Sequence, residues 1–429
     1  AKDMTLFLFL QPMGLSLYNI SIKGYVTLVR LLAPFNKKAR LFIEGRKELF
    51  PKLEAAFANN KQPVFWLHAA SLGEFEQGRP VIEAYRKSFP DHRILLTFYS
   101  PSGYEIRKNY VGADDVFYLP PDSKQNAERF YDIVSPQIAV IVKYEFWYHY
   151  ISEAGKRNIR LLSIATIIRT GHFILSGRGR FLAKQLHHFD HFFTQDEVTS
   201  GLLNGIGIRK TTVAGDTRYD RVAEIAANAR KIEEVERFLN GNAAMVIGSS
   251  WPSDMEKLYP VISEFAGELQ FIIAPHNINQ SEIAAIIEKT GDQAIRFSQF
   301  GEESPEGKSI LIVDNIGMLS SLYRYGRYAF IGGAFRGALH NILEAAVYGI
   351  PVFYGKHENN AKFLESQDLV SQGGAFEIET SEELISLIRT MEKEPQMREN
   401  AGLANAEWVT RSKGATGKII NYLTENNDR

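Results

Sequence analysis

Two stretches of this chain open in the same way, and that recurrence limits the possible folds more than any other feature. Val64-Phe65-Trp66-Leu67-His68 is a short apolar run followed by small residues, a helical pattern to Arg86 and a second apolar run over 94–98. Ala244-Met245-Val246-Ile247 is followed by Gly248-Ser249-Ser250-Trp251, a helical pattern over 255–265 and a run over 269–274. Further runs at 116–119, 138–142 and 161–165 follow in the first half, and at 310–313, 329–331 and 351–355 in the second. Short buried strands alternating with helices predict an α/β chain with parallel sheets covered on both faces, and ligands at the strands' carboxyl ends. Two such doubly wound halves facing each other would form a central cleft.

Composition narrows the function. A length of 429 residues suits two domains of ordinary size, and 45% hydrophobic with 23% charged residues is the balance of a folded protein. A net charge of −1 argues against bulk nucleic-acid binding, and the absence of cysteine excludes disulfides and thiolate metal sites. The 10 histidines show no HExxH or comparable spacing, so metal-independent chemistry without a cofactor is expected.

The stretch over 328–355 reads as strand, glycine loop and helix: Ala329-Phe330-Ile331 breaks at Gly332-Gly333, and Asn341 caps a helix that Gly349-Ile350-Pro351 stops. Free backbone N–H groups at such a turn suit a phosphate. Glu344 would repel phosphate but suits a ribose diol, and a nucleotide presents both groups. An ordinary strand-to-helix turn carries the same residues with no ligand, and a glutamate in a first turn stabilises a helix by about 0.3–1 kcal/mol.

In the first half, Ser71, Gly73 and Glu74 lie at the carboxyl end of the run over 64–68, where a carboxylate is placed to take a proton from a bound hydroxyl. Glu145 follows the run over 138–142, among Tyr144, Phe146 and Trp147, which seat a sugar or acyl surface or fill the core. Arg169, Arg178 and Arg180 suit an anionic acceptor, although exposed loops often carry arginines.

At the amino terminus, Leu15, Tyr18, Ile22, Tyr25, Val26, Val29 and Leu32 recur at helical spacing, with Asn19, Lys23, Thr27 and Arg30 opposite. Such a helix can lie on a membrane surface or pack on its own protein. Lys37, Lys38, Arg40, Arg46 and Lys47 follow it and suit an anionic leaflet. The expected organisation is a membrane-associating segment over 1–40, an amino-terminal domain over 41–214 and a junction over 215–242. A carboxyl-terminal domain over 243–405 and a helix over 406–429 crossing back to the first domain complete it.

HAASLGE, KYEFW, GDTRYDR, GSSW and FIGGAFRGALHNILEAAVYGIPVFYG, in this order, resemble the 3-deoxy-D-manno-octulosonic acid (Kdo) transferases of lipopolysaccharide assembly. The resemblance covers most of residues 20–410. It implies a GT-B fold of two Rossmann-like domains and transfer of Kdo from CMP-Kdo to the lipid A precursor at the cytoplasmic face of the inner membrane. It implies Glu74 as general base and Glu145 on the acceptor side, where the residues themselves add Ser71, Gly73, Arg169 and Arg178; the family's ARLS-type segment is here Thr166-Ile167-Ile168-Arg169, which leaves the acceptor details open. Gly248, Ser249, Ser250, Pro275, His276, Gly317, Met318, Asn341 and Glu344 would bind the donor. Relatives of this kind carry Pro-Arg-His where this chain has Pro275-His276-Asn277, which makes His276 and Lys356 the candidates for the missing cation. Two competing readings are another GT-B nucleotide-sugar enzyme, such as a UDP-sugar transferase or epimerase, and a non-catalytic nucleotide- or lipid-binding protein of the membrane surface.

Overall fold

The computed structural model describes residues 2–426, with side chains described from residue 14 onward. The chain divides into two compact units: Ala1–Asp220 with Gly414–Arg429, and Arg221–Lys413. Among the described residues, each unit holds one seven-stranded sheet whose pairings are all parallel.

In the first unit the strands are β1 (Val64–Ala69), β2 (Arg93–Phe98), β3 (Asp115–Tyr118), β4 (Ile138–Val142), β5 (Arg160–Thr166), β6 (His191–Thr194) and β7 (Thr211–Val213). They lie in the order β3-β2-β1-β4-β5-β6-β7. Alternation along β1 explains why both faces are apolar. Phe65 and Leu67 pack with Val81, Ile82 and Tyr85 of helix Leu72–Ser88, whereas Trp66 packs with Phe130, Tyr131 and Tyr150 on the opposite face. Each such large side chain contributes about 1.5–3 kcal/mol by leaving water.

The second unit contains β8 (Ala244–Ser250), β9 (Gln270–Pro275), β10 (Ala294–Arg296), β11 (Ile310–Ile312), β12 (Gly326–Ile331), β13 (Val352–Gly355) and β14 (Ala375–Ile378). Their order is β10-β11-β9-β8-β12-β13-β14. Strand order reverses between β1 and β4 in one sheet and between β8 and β12 in the other, and doubly wound sheets bind ligands outside such switch points.

The sequence pattern locates β1 to β5, β8, β9 and β11 to β13 and misses β6, β7, β10 and β14. Three of the missed strands are sheet edges of three or four residues, too short and too exposed to print a periodicity. The junction expected over 215–242 does not form a separate element. Gln77 donates to Asp216 at 2.9 Å and ties that end to the first unit, while Val235, Phe238 and Leu239 of helix Glu233–Leu239 are buried. The expected boundary at 405 falls inside helix Pro395–Arg411, where buried Asn405 donates to the carbonyls of Ile350 and Gly374 within the second unit. Helix Ala415–Glu425 belongs to the first unit, with Ala415, Ile419 and Leu423 packed in the Phe65–Tyr85 cluster. Asp220 holds its start by accepting from the Gly414 and Thr416 N–H groups.

The amino-terminal helix Lys2–Leu32 packs part of its expected apolar stripe against its own chain, while Tyr25 and Leu32 stay nearly half exposed. Tyr18 donates to Asp122 at 2.5 Å, and Tyr25 meets the rings of Phe42 and Tyr99. A second apolar set, Leu17, Ile20, Leu28, Leu31 and Phe35, faces outward, with Phe35 89% exposed. Arg46, expected among the surface cations, is instead caged by the rings of Phe42, Tyr99 and Tyr118 and donates to three backbone carbonyls. Among the described residues no helix is long and apolar enough to cross a membrane.

Candidate active site

At the first switch point, β1 turns at Ser71 into helix Leu72–Ser88, and the Glu74 carboxylate accepts from the Ser71 backbone N–H at 3.0 Å. Glu74 is buried, and burial raises its carboxyl above the ordinary range against the opposing pull of Lys143 and of the Ser71 and Ala70 backbone N–H groups. Gly73 beside it is exposed and open to solvent on its Cβ side.

β4 ends in a left-handed residue that is not glycine, Lys143 with φ 62°. Its N–H donates to the Ile164 carbonyl at 2.8 Å and its own carbonyl accepts from Ser163 Oγ at 3.1 Å. Such a conformation costs on the order of 1–3 kcal/mol and persists only where its surroundings enforce it. Glu145 follows, and burial together with the Glu74 carboxylate pushes it up to about 8, against the opposing charge of Lys143. The two glutamates therefore form an interacting pair in which burial disfavours the charge on both, and the Glu74 charge adds to that effect at Glu145.

The aromatic residues of KYEFW divide. Phe146 is buried in the core, Trp147 packs on Tyr99 with ring centroids 4.6 Å apart, and only Tyr144 is exposed. Arg169 is engaged by Asp196 at 3.0 Å and by the Ile168 carbonyl, and Arg178 lies exposed in the short turn Gly177–Gly179. Among the described residues no hydrogen bond or ion pair links either arginine to the glutamate pair.

At the second switch point, the Gly332 N–H donates to the Gly248 carbonyl at 2.9 Å, and the His276 N–H to the Ser250 carbonyl at 2.8 Å. A side chain at Gly248 would collide with the Tyr323 hydroxyl, and one at Gly332 with the Ser249 carbonyl. Ser249 has φ 53°, a second left-handed non-glycine residue at a strand's carboxyl end, and the buried Ser250 Oγ has no partner. Gly317, with φ 100°, and Met318 precede the turn Leu319–Leu322, whose Leu319 side chain also borders Gly248.

The helix expected after Asn341 is a single turn, Leu343–Ala346, because Gly349 at φ 69° and Pro351 end it early. Asn341 Oδ1 accepts from the Leu343 N–H at 3.3 Å, and its Nδ2 donates to Glu344 at 3.1 Å. The Glu344 charge is felt by Tyr323, which joins Asn341, Glu344 and Gly248 in one neighbourhood. Lys356 pairs with Glu379 at 2.5 Å.

Sequence reasoning passes over three side chains here. Trp251 stacks on His276, whose ring stacks on His340, and Arg336 lies over the other partner of this group, the Trp251 indole, at 4.3 Å. The signal available in sequence is the arginine in Ala334-Phe335-Arg336 between Gly333 and Gly337. Among the described residues no group of three His, Cys, Asp or Glu side chains could hold a metal ion.

A family model described as 3-deoxy-D-manno-octulosonic-acid transferase (kdotransferase) matches residues 45–221. The chain is 27% identical over 350 residues to the 3-deoxy-D-manno-octulosonic acid transferase of Aquifex aeolicus, covering 80% of this chain and 89% of the relative. It is 28% identical over 326 residues to the enzyme of the same name from Chlamydophila psittaci, covering 72% and 73%. A solved structure, a putative UDP-N-acetylglucosamine 2-epimerase from Listeria monocytogenes, superposes with TM-score 0.55 over 86% of this chain and 98% of its own. At 12% identity that likeness is one of fold, the GT-B class of two parallel-sheet domains. With the family match across the Glu74 and Glu145 motifs and relatives that span both units, the chain is similar to the 3-deoxy-D-manno-octulosonic acid (Kdo) transferases, a family of glycosyltransferases.

Proposed function

We propose that this chain transfers Kdo from CMP-Kdo to the lipid A precursor lipid IVA with inversion at the anomeric carbon, Glu74 acting as general base. The observation that carries this reading is the interacting Glu74–Glu145 pair at the β1/β4 switch point, within the unit that the family model matches. Glu145 keeps its proton at neutral pH, which spares Glu74 a neighbouring charge and leaves it available as an ionised acceptor. Glu74 takes the proton of the acceptor hydroxyl, and the oxygen forms its bond to the Kdo anomeric carbon from the face opposite the nucleotide. The bond to CMP breaks, and CMP leaves with the electron pair. As a phosphomonoester it is a stable leaving group, whose developing charge backbone dipoles and one cation suffice to stabilise.

On this reading Gly248, Ser249, Ser250, Pro275 and His276 approach the donor phosphate with Asn341, Glu344 holds the ribose, and Gly317 and Met318 lie by the cytosine. Ser71, Gly73, Arg169 and Arg178 serve the acceptor. The outward apolar face of helix Lys2–Leu32, continued by Phe35, supports a place at the cytoplasmic face of the inner membrane.

The test is turnover with CMP-Kdo generated in situ and a tetraacyl lipid A precursor, with EDTA present. Kdo-bearing product supports donor, acceptor and metal independence together. Absence of product with intact CMP binding sinks the proposed acceptor or the catalytic role, and turnover of UDP-N-acetylglucosamine instead would favour the epimerase reading.

A further inference from the structure

The second unit carries a four-membered stack of which only His276 is among the assigned donor residues. Arg336, Trp251, His276 and His340 come from the loops after β12, β8 and β9, all at the carboxyl ends of strands around the β8/β12 switch point. Trp251 and His276 lie 4.2 Å apart at 23°, and His276 and His340 4.5 Å apart at 29°. Trp251 Nε1 donates to His340 Nε2 at 3.2 Å, which pins the indole in place and leaves the proton of the neutral His340 ring on Nδ1.

Arg336 is held on this platform by its backbone. Its turn, Ala334–Arg336, is bracketed by Gly333 at φ 90° and Gly337 at φ 67°, positions that side-chain-bearing residues rarely adopt. A Cβ at Gly337 would press on Asn359 and His357, so the turn is closed by packing as well as by conformation. The guanidinium lies over the indole face, a contact that occupies the plane of the group and leaves its N–H edges free for an oxyanion. Among the described residues Arg336 makes no salt bridge and no side-chain hydrogen bond. Burial lowers both His276 and His340, the latter to about 4, so neither ring carries charge at neutral pH and Arg336 supplies the positive charge of the stack. A second, independent feature points the same way: Ser250 Oγ, one residue before Trp251, is buried and without a partner.

We infer that Arg336, seated on Trp251, is a donor-binding residue that grips the phosphate of the nucleotide sugar and of the departing nucleoside monophosphate. This rests on the proposed CMP-sugar reading of the second unit. The strongest rival role is internal: Arg336 also attracts the buried carboxylate of Asp254, which accepts from the Trp251 and Gly333 N–H groups at 2.8 and 2.9 Å.

The experiment is calorimetric titration of the full chain with CMP and, separately, with cytidine, for wild type, Arg336→Gln and Arg336→Lys, each checked by thermal melting. Loss of a charge-assisted contact to phosphate is expected to weaken CMP binding by roughly ten- to a hundredfold while cytidine affinity stays unchanged. Arg336→Lys, which keeps the charge but loses the fork, is expected to fall between. CMP affinity unchanged in Arg336→Gln overturns the inference, and so does equal weakening of CMP and cytidine or a lowered melting point that Arg336→Lys restores without restoring CMP affinity. Wild type that binds neither ligand overturns the CMP-sugar reading itself and the inference with it.

Discussion

The Glu74 carboxylate accepts a hydrogen bond from the Ser71 backbone N–H at 3.0 Å, so the proposed base also caps the helix that carries it. Substitutions at this residue should separate the two roles. Glu74→Gln and Glu74→Ala are both expected to lower Kdo transfer by about 10²–10⁴-fold. Glu74→Ala should in addition lose the cap, at about 1 kcal/mol in denaturant unfolding. Near-normal transfer by a folded Glu74→Gln protein would remove Glu74 from the role of base.

Glu145 makes stability depend on pH. Its carboxyl is raised in the folded protein from the ordinary value to about 8, so between these limits the folded state binds more protons than the unfolded one. Stability contributed by the protonated group is then complete below the unfolded value and is lost as pH rises through about 8. Glu145→Gln imitates the protonated form at every pH. Its melting point should fall less than that of wild type between pH 5 and pH 9, with a difference at the alkaline end on the order of 1 kcal/mol or more, about 2–4 °C. Parallel melting curves for the two proteins over that range would contradict the assignment.

Gly248 leaves no room for a side chain beneath Tyr323. In Gly248→Ala the Tyr323 ring must move, and the fully buried ring has little freedom to do so. The expected cost is about 1–3 kcal/mol from overpacking, accompanied by weaker CMP binding because Tyr323 feels the charge of Glu344, which Asn341 holds by a hydrogen bond. Unchanged unfolding and unchanged CMP affinity would show that the loop adapts freely.

The outward residues of the amino-terminal helix and its extension offer a test of the proposed membrane location. Leu17, Ile20, Leu31 and Phe35 are all more than half exposed. Replacing Leu17, Ile20 and Leu31 by serine should reduce co-sedimentation with anionic phospholipid vesicles by tenfold or more, as about 0.8 kcal/mol is lost per CH₂ withdrawn from lipid. The melting point should barely move, since these side chains do not pack on the protein. Equal sedimentation of variant and wild type would remove this face from membrane binding.

The sequence by itself determined the two parallel sheets, the loops at their switch points and the position of Glu74, because hydrophobic period, small-residue loops and capping residues act over a few neighbours. The pattern of Val64-Phe65-Trp66-Leu67-His68 already assigns alternate residues to two covered faces, and the structure fills those faces with Tyr85 and Tyr150. Only the tertiary structure decided what depends on contacts between distant parts of the chain. It brought Glu145 to Glu74, withdrew Arg46 from the surface into an aromatic cage, and engaged Arg169 with Asp196. It turned part of the periodic stripe of the first helix inward through Tyr18 and Asp122, leaving Leu32, Ile20 and Phe35 outside. It also seated Arg336 on Trp251, a pairing across two strand ends that no local periodicity encodes. Local preferences choose the elements, and the burial of charge and aromatic surface between elements chooses which side chains meet.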